Sequence, residues 1–187
     1  MAMARTPSSM RALGSPLPDF SLPNSVDGKL HSAAELRGSV SVVAFICNHC
    51  PFVQLLKTEL AEFGRYCDER GVKMVAISSN DVSTHPQDGP ELMAQEARQY
   101  SYPFPYLYDE SQDVARAFDA TCTPDFFVFD DQGALAYRGQ FDAARPGNGI
   151  TPTGVDLRAA VDALLKGDRP TSDQKPSIGC NIKWKSS

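Results

Sequence analysis

Three short runs, Val40 to Ile46, Val72 to Ile77 and Phe126 to Phe129, are almost continuously apolar and rich in Val, Ile and Phe. A strand with one wet face alternates apolar and polar residues, whereas an unbroken run needs cover on both faces. Three such runs commit the chain to a sheet flanked on both sides by helices. The covering helices are legible between them. From Pro51 to Arg70, the residues Phe52, Leu56, Leu60, Phe63 and Cys67 form one stripe at steps of three and four, closed by Gly71. A second helix opens at Pro90, a favoured first-turn residue, and runs to about Tyr100. A third begins near Ser111 and turns Val114 and Phe118 inward. A fourth is expected from Thr153, with Asp156 completing a capping box and Leu157, Val161, Leu164 and Leu165 as its buried face. Ser32 with Glu35 predicts a short capped turn. Ala134 to Tyr137, after the turn Asp130 to Gly133, reads as the return strand of a hairpin. The fold class is α/β with a mixed sheet.

At 187 residues the chain fits one domain. The boundaries expected are a mobile segment over 1–15, the domain over 16–167 and a tail over 168–187. In the tail, Ile178, Cys180, Ile182 and Trp184 alternate with other residues in the manner of a half-buried strand. It is expected to pack back on the domain or on a second copy in a homodimer. A net charge of −5 with scattered lysines and arginines argues against nucleic acid and anionic membranes as partners. No 18-residue apolar stretch is present, and Arg5, Ser8, Ser9 and Arg11 interrupt any leader-like run near the start. The expectation is a cytoplasmic protein.

In a reducing compartment, close cysteines serve catalysis or metal binding more often than stapling. There are five: Cys47, Cys50, Cys67, Cys122 and Cys180. The stretch "FICNHCPF" sets Cys47 and Cys50 two residues apart, after a buried strand and before an amphipathic helix. A thiolate near a helix N-terminus is stabilised by the unpaired N–H groups and the dipole. Cys47 is therefore expected to ionise readily and attack, and Cys50 to resolve the mixed disulfide. His49 is placed to tune that thiolate. Cys67 falls on the helix stripe and reads as core. Cys122 and Cys180 are candidate accessory thiols. A different class of reading, a Zn²⁺ or Cu⁺ site, would use Cys47, Cys50, His49 and one of Cys122 or Cys180. No second CxxC or spaced His pair accompanies it, so no metal is assigned. Arg145 and Asn148 read as a polar loop, and His31 and His85 as exposed.

A strand, a CxxC, a helix, then Thr123-Pro124 ahead of a hairpin and a last helix resembles the thioredoxin fold. The stretches "GSPLPDFSL", "DGKLHSAAELRG", "TCTPDFFVFD", "YRGQFDAARPGN" and "SIGCNIKWK" make the chain similar to the peroxiredoxin-like redoxins that carry a thioredoxin-type CxxC, the AhpC/TSA-like group. The resemblance implies a cis bond at Pro124 and a Thr123-Pro124 loop that faces the CxxC and positions a partner backbone. It implies thiol–disulfide exchange without a cofactor, with a disulfide or thiol substrate and a separate reductase. It leaves open a thiol-dependent peroxidase using Cys50 or Cys47. Against the peroxiredoxin pattern PxxxTxxC ending at Cys50, Cys47 stands at the threonine position and Val43 at the proline. Against thioredoxins, Ser41 stands where a buried carboxylate is usual.

Overall fold

Side-chain alternation within each buried run decides how the chain is layered. In the computed structural model, which describes residues 5–187, the chain forms β1 (Thr6–Pro7), β2 (Ser21–Pro23), β3 (Leu30–Ser32), β4 (Ser41–Phe45), α1 (Pro51–Gln54), α2 (Lys57–Glu69), β5 (Lys73–Ser78) and α3 (Pro90–Gln99). It continues through β6 (Tyr106–Tyr108), α4 (Asp113–Phe118), β7 (Cys122–Thr123), β8 (Asp125–Phe129), β9 (Leu135–Gly139), α5 (Val155–Leu165) and β10 (Ile178–Asn181). The central sheet has the order β6-β5-β4-β8-β9. β4, β5 and β6 run parallel, and β8 and β9 are antiparallel to their neighbours.

Successive residues of a strand point to opposite faces. Val42, Ala44 and Ile46 thus join Leu60, Phe63, Met93, Leu157 and Val161 in one core. Val43 and Phe45 enter the other core with Leu107, Phe118, Phe127 and Phe129. There the Phe118 ring meets Phe45 and Phe127 edge-on, with centroids 5.2 and 5.4 Å apart, the arrangement aromatic quadrupoles favour. Cover on both sides is why these runs are apolar except at Ser41 and Lys73, near their starts. Leu60 is wholly buried between sheet and helix, so its truncation to Ala should cost about 2–5 kcal/mol.

Several expectations differ from the structure in detail. The stripe from Phe52 to Cys67 is buried as read, but it spans two helices, because the chain tightens at Leu55–Leu56, where Leu56 N–H bonds to Val53 O at 2.8 Å. The last helix starts at Val155, not Thr153. Gly154 adopts φ +72° as its N-cap, and the Asp142 carboxylate accepts the N–H groups of Thr153 and Gly154 at 2.6 and 2.7 Å. A remote carboxylate thus replaces the capping box, and Asp156 instead accepts from Gln140 at 2.7 Å. Leu165 faces solvent. The capped turn at Ser32 is present, with Glu35 accepting the Ser32 N–H at 2.7 Å.

Both chain ends are built into the domain. β10 lies between β1 and β7, antiparallel to each. The tail therefore packs on its own domain. Within residues 5–15, the segment expected to be mobile, β1 makes this pairing, and Arg11 donates to Ala117 O at 2.8 Å and accepts from Arg138 at 2.7 Å. Residues 1–4 lie outside the described residues.

The N-terminal arm also covers Asp125, a fully buried carboxyl at the start of β8. Ser8 donates to its Oδ1 at 2.8 Å, while Oδ2 has no partner. Burial, only partly offset by the Ser8 hydrogen bond, pushes its pKa up to about 7. Between pH about 4 and about 7 the folded chain keeps a proton that the unfolded chain releases, so this group's contribution to stability falls as pH rises. Asp125→Asn, which mimics the neutral acid, should gain on the wild type in urea midpoint between pH 5 and pH 8. Parallel pH dependence of the two proteins would contradict this.

Candidate functional site

The two CxxC sulfurs lie past the carboxyl end of β4, the usual place for a site in an α/β sheet. Both residues are completely buried. Cys50 is the N-cap of α1 and Pro51 its first residue. The Cys50 carbonyl accepts from Val53 and Gln54 at 2.9 and 2.8 Å. The helix therefore begins three residues later than a thiolate at Cys47 would need. Hydrogen bonds from Cys180 and Cys47 hold the Cys50 thiol well below its ordinary pKa against the cost of burial, helped by the N–H groups of Val53 and Cys180. Cys47 goes the other way: its hydrogen bond to Cys50, its burial and the nearby Asp88 carboxylate all push it up. The anion expected at Cys47 is thus favoured at Cys50.

Around the sulfurs, the cis Thr123-Pro124 peptide presents two oxygens. Thr123 Oγ1 is 3.4 Å from Cys47 Sγ, and the Thr123 carbonyl lies 3.3 Å from Cys50 Sγ. Cys180 reaches the same sulfur, Sγ to Sγ 2.8 Å. Cys122 does not: its Sγ is 3.7 Å from the Pro124 carbonyl, and burial raises its pKa. Cys67 is core, pushed up to about 12 by burial.

His49 Nδ1 is 3.8 Å from Cys47 Sγ and donates to Asp88 Oδ2. Asp88, from the turn Pro86–Asp88, has no accessible surface. Its Oδ1 accepts the backbone N–H groups of Asn48 and His49 at 2.8 and 3.1 Å, and Asn80 donates to Oδ2 at 3.0 Å. Burial would raise this carboxyl, but donation by His49 and Asn80 outweighs it and the net shift is downward. His85, expected at the surface, stacks on the His49 ring at 5.1 Å.

Sequence reasoning missed Asp88. It lies in a polar loop about forty residues from the CxxC, and no spacing signal marks it. Lys57 was also unforeseen: buried, it donates to the Asn48 carbonyl at 3.2 Å and pairs with Glu96. The Tyr106 hydroxyl donates to Asn48 Oδ1 at 3.0 Å. The CxxC turn is therefore clamped from several sides. Arg145 and Asn148 do brace their own loop, as read.

For a metal, Cys47, His49 and Asp88 each offer one ligand atom, and these lie within 4.8 Å of one another. Here Nδ1 and Oδ2 satisfy each other in a hydrogen bond, which a cation would have to displace. Cavities between α2 and Phe104 and beside α5 are lined by neither Cys47 nor Cys50.

Comparison with solved structures finds two that match nearly the whole chain. An uncharacterized conserved protein from Geobacillus kaustophilus is 48% identical over 100% of both chains, with a TM-score of 0.97. A hypothetical protein from Sinorhizobium meliloti is 50% identical over 97% of this chain and 100% of that one, with a TM-score of 0.95. A thiol:disulfide interchange protein of the thioredoxin family from Chlorobium tepidum shares the fold, at 22% identity over 82% of this chain and 98% of that one, TM-score 0.64. Among curated proteins there is no match. Residues 13–138 match the model of the AhpC/TSA family. That match spans more than half of the sequence, so the chain belongs to the AhpC/TSA family, on a thioredoxin fold.

Proposed function

We propose that the chain is a thiol–disulfide oxidoreductase whose redox couple is Cys47 and Cys50. The observation that carries this reading is two adjacent buried sulfurs faced by the Thr123-Pro124 loop, with the Thr123 hydroxyl 3.4 Å from Cys47 and its carbonyl 3.3 Å from Cys50, and with hydrogen bonds that favour the anion at Cys50 and the thiol at Cys47. Such a pair separates the two roles that exchange requires. The Cys50 thiolate attacks one sulfur of a disulfide, forming a mixed disulfide and releasing a thiolate. Cys47 then loses its proton and attacks Cys50 Sγ, releasing the second thiolate and closing Cys47–Cys50. A separate thiol reductant restores the dithiol. Family membership and the thiol:disulfide interchange protein from Chlorobium tepidum support this chemistry.

A second reading is favoured by the burial of both sulfurs, which suits a small oxidant. A hydroperoxide would oxidise the Cys50 thiolate to a sulfenic acid with loss of the alcohol or water. Cys47 would then condense with it, releasing water and giving the same disulfide.

Mixing reduced protein with 2-hydroxyethyl disulfide or hydrogen peroxide separates the two. Exchange predicts disulfide reduction at least about 100-fold faster than free cysteine, abolished in Cys50→Ser and arrested as a mixed disulfide at Cys50 in the double variant Cys47→Ser/Cys180→Ser, which lacks both neighbouring thiols. Fast thiol loss to peroxide alone would install the second reading. Rates like free cysteine with both oxidants would remove both.

The Asp88 carboxylate helps to keep Cys47 protonated. In a Cys50→Ser background, Asp88→Asn should move the pH profile of Cys47 alkylation downward by about one pH unit. The amide oxygen can still accept the Asn48 and His49 N–H groups. An unmoved profile would contradict this role.

A further inference from the structure

An unpaired backbone edge beside a nucleophilic sulfur is suited to hold an extended peptide by strand addition. Here that edge, β7, is already taken. β10 pairs with it antiparallel, Cys180 opposite Thr123 and Asn181 opposite Cys122. The register sets Cys180 Sγ 2.8 Å from Cys50 Sγ, within about 1 Å of disulfide bonding distance. Gly179 makes the approach possible, because a Cβ there would stand 1.8 Å from the Thr123 carbonyl oxygen.

The strand is held along its length. Ser177 Oγ donates to the Pro124 carbonyl, and the Ile182 N–H bonds to Thr121 O at 3.1 Å. Lys183 N–H donates to Asn80 Oδ1 at 2.8 Å, and Gln112 donates to the Lys183 carbonyl at 2.8 Å. Cys47 and Cys50 are fully buried, whereas Cys180 keeps partial exposure.

We propose that β10 is a built-in substrate strand, and that Cys180 relays the disulfide from the buried Cys47–Cys50 pair to the surface. This rests on the oxidoreductase reading above. The Cys180 thiolate attacks Cys50 Sγ of the Cys47–Cys50 disulfide. The Cys50–Cys180 bond forms, the Cys47–Cys50 bond breaks, and the electron pair leaves on Cys47, which takes up the proton that Cys180 released. No electrons enter or leave in this step. A low-molecular-weight thiol then attacks Cys180, the reachable sulfur, and Cys50 departs as a thiolate that accepts from Cys47 and the Val53 N–H. A second thiol molecule attacks the mixed disulfide and leaves with the first as a small disulfide, returning Cys180 to the thiol. The occupied edge also fits small oxidants better than extended protein segments as the source of the disulfide.

The test is disulfide mapping after one equivalent of diamide, acid quenching and alkylation, in wild type, Cys47→Ser and Cys180→Ser. Expected are Cys47–Cys50 and Cys50–Cys180 together in wild type, and Cys50–Cys180 as the main product in Cys47→Ser. Cys180→Ser, shown to be folded by its melting temperature, should form only Cys47–Cys50. Glutathione should re-reduce it at least about 10-fold more slowly than wild type. The relay is overturned if Cys47→Ser yields no Cys50–Cys180, or if Cys180→Ser is re-reduced as fast as wild type. Failure of wild type to form Cys47–Cys50 at all would overturn the oxidoreductase reading itself, a result separable from loss of the relay alone.

Discussion

A carboxylate with no access to water is expensive unless donors surround it, and Asp88 has four: the N–H groups of Asn48 and His49, the His49 ring and the Asn80 amide. Those bonds fix the backbone between the two cysteines and the ring beside Cys47. They also put a negative charge at the Cys47 end of the motif. At the other end, hydrogen bonds from Cys180 and Cys47, helped by the N–H groups of Val53 and Cys180, converge on the Cys50 sulfur and favour an anion. One end repels charge and the other attracts it, so the sulfurs are chemically unequal although both are buried. That inequality underlies the division of labour proposed for the pair.

The sheet and most helices were legible because they rest on local patterns. Runs such as Val40 to Ile46 are apolar but for Ser41 since both faces of β4 are covered. The CxxC and Thr123-Pro124 could be placed from their order relative to those runs. What could not be read depends on contacts between distant positions. Gly154 caps α5 because Asp142, twelve residues earlier, supplies the acceptor. Asp88 looks like any loop acid until the chain folds it under the CxxC. The anion expected at Cys47 is favoured at Cys50 because hydrogen bonds from Cys180, in the distant tail, and from Cys47 converge on its sulfur. The edge strand Tyr106–Tyr108 is too short to show a period. Cys122 and Cys180 looked equivalent as accessory thiols, and only the β10 register separates them.

The ends of the chain complete the site rather than decorate it. β1 pairs with β10, β10 pairs with β7, and β7 leads into the cis-proline loop beside the sulfurs. The Ser8 hydroxyl donates to Asp125 and the Ser8 N–H to the Ser177 carbonyl, tying the N-terminal arm, the tail and β8 into one hydrogen-bonded unit. Disturbing either end should therefore reach the cysteines, although neither end lies near them in sequence.

The thiolate absorbance near 240 nm, titrated in wild type, Cys47→Ser and Cys50→Ser, asks directly which sulfur carries the charge. If the hydrogen bonds converging on Cys50 and the Asp88 clamp act as described, wild type shows one thiolate persisting well below the usual thiol range of about 8.5. That signal should survive in Cys47→Ser, weakened by the lost hydrogen bond, and vanish in Cys50→Ser. A low-pH thiolate that persists in Cys50→Ser and disappears in Cys47→Ser would assign the charge to the other sulfur and contradict this picture of the site.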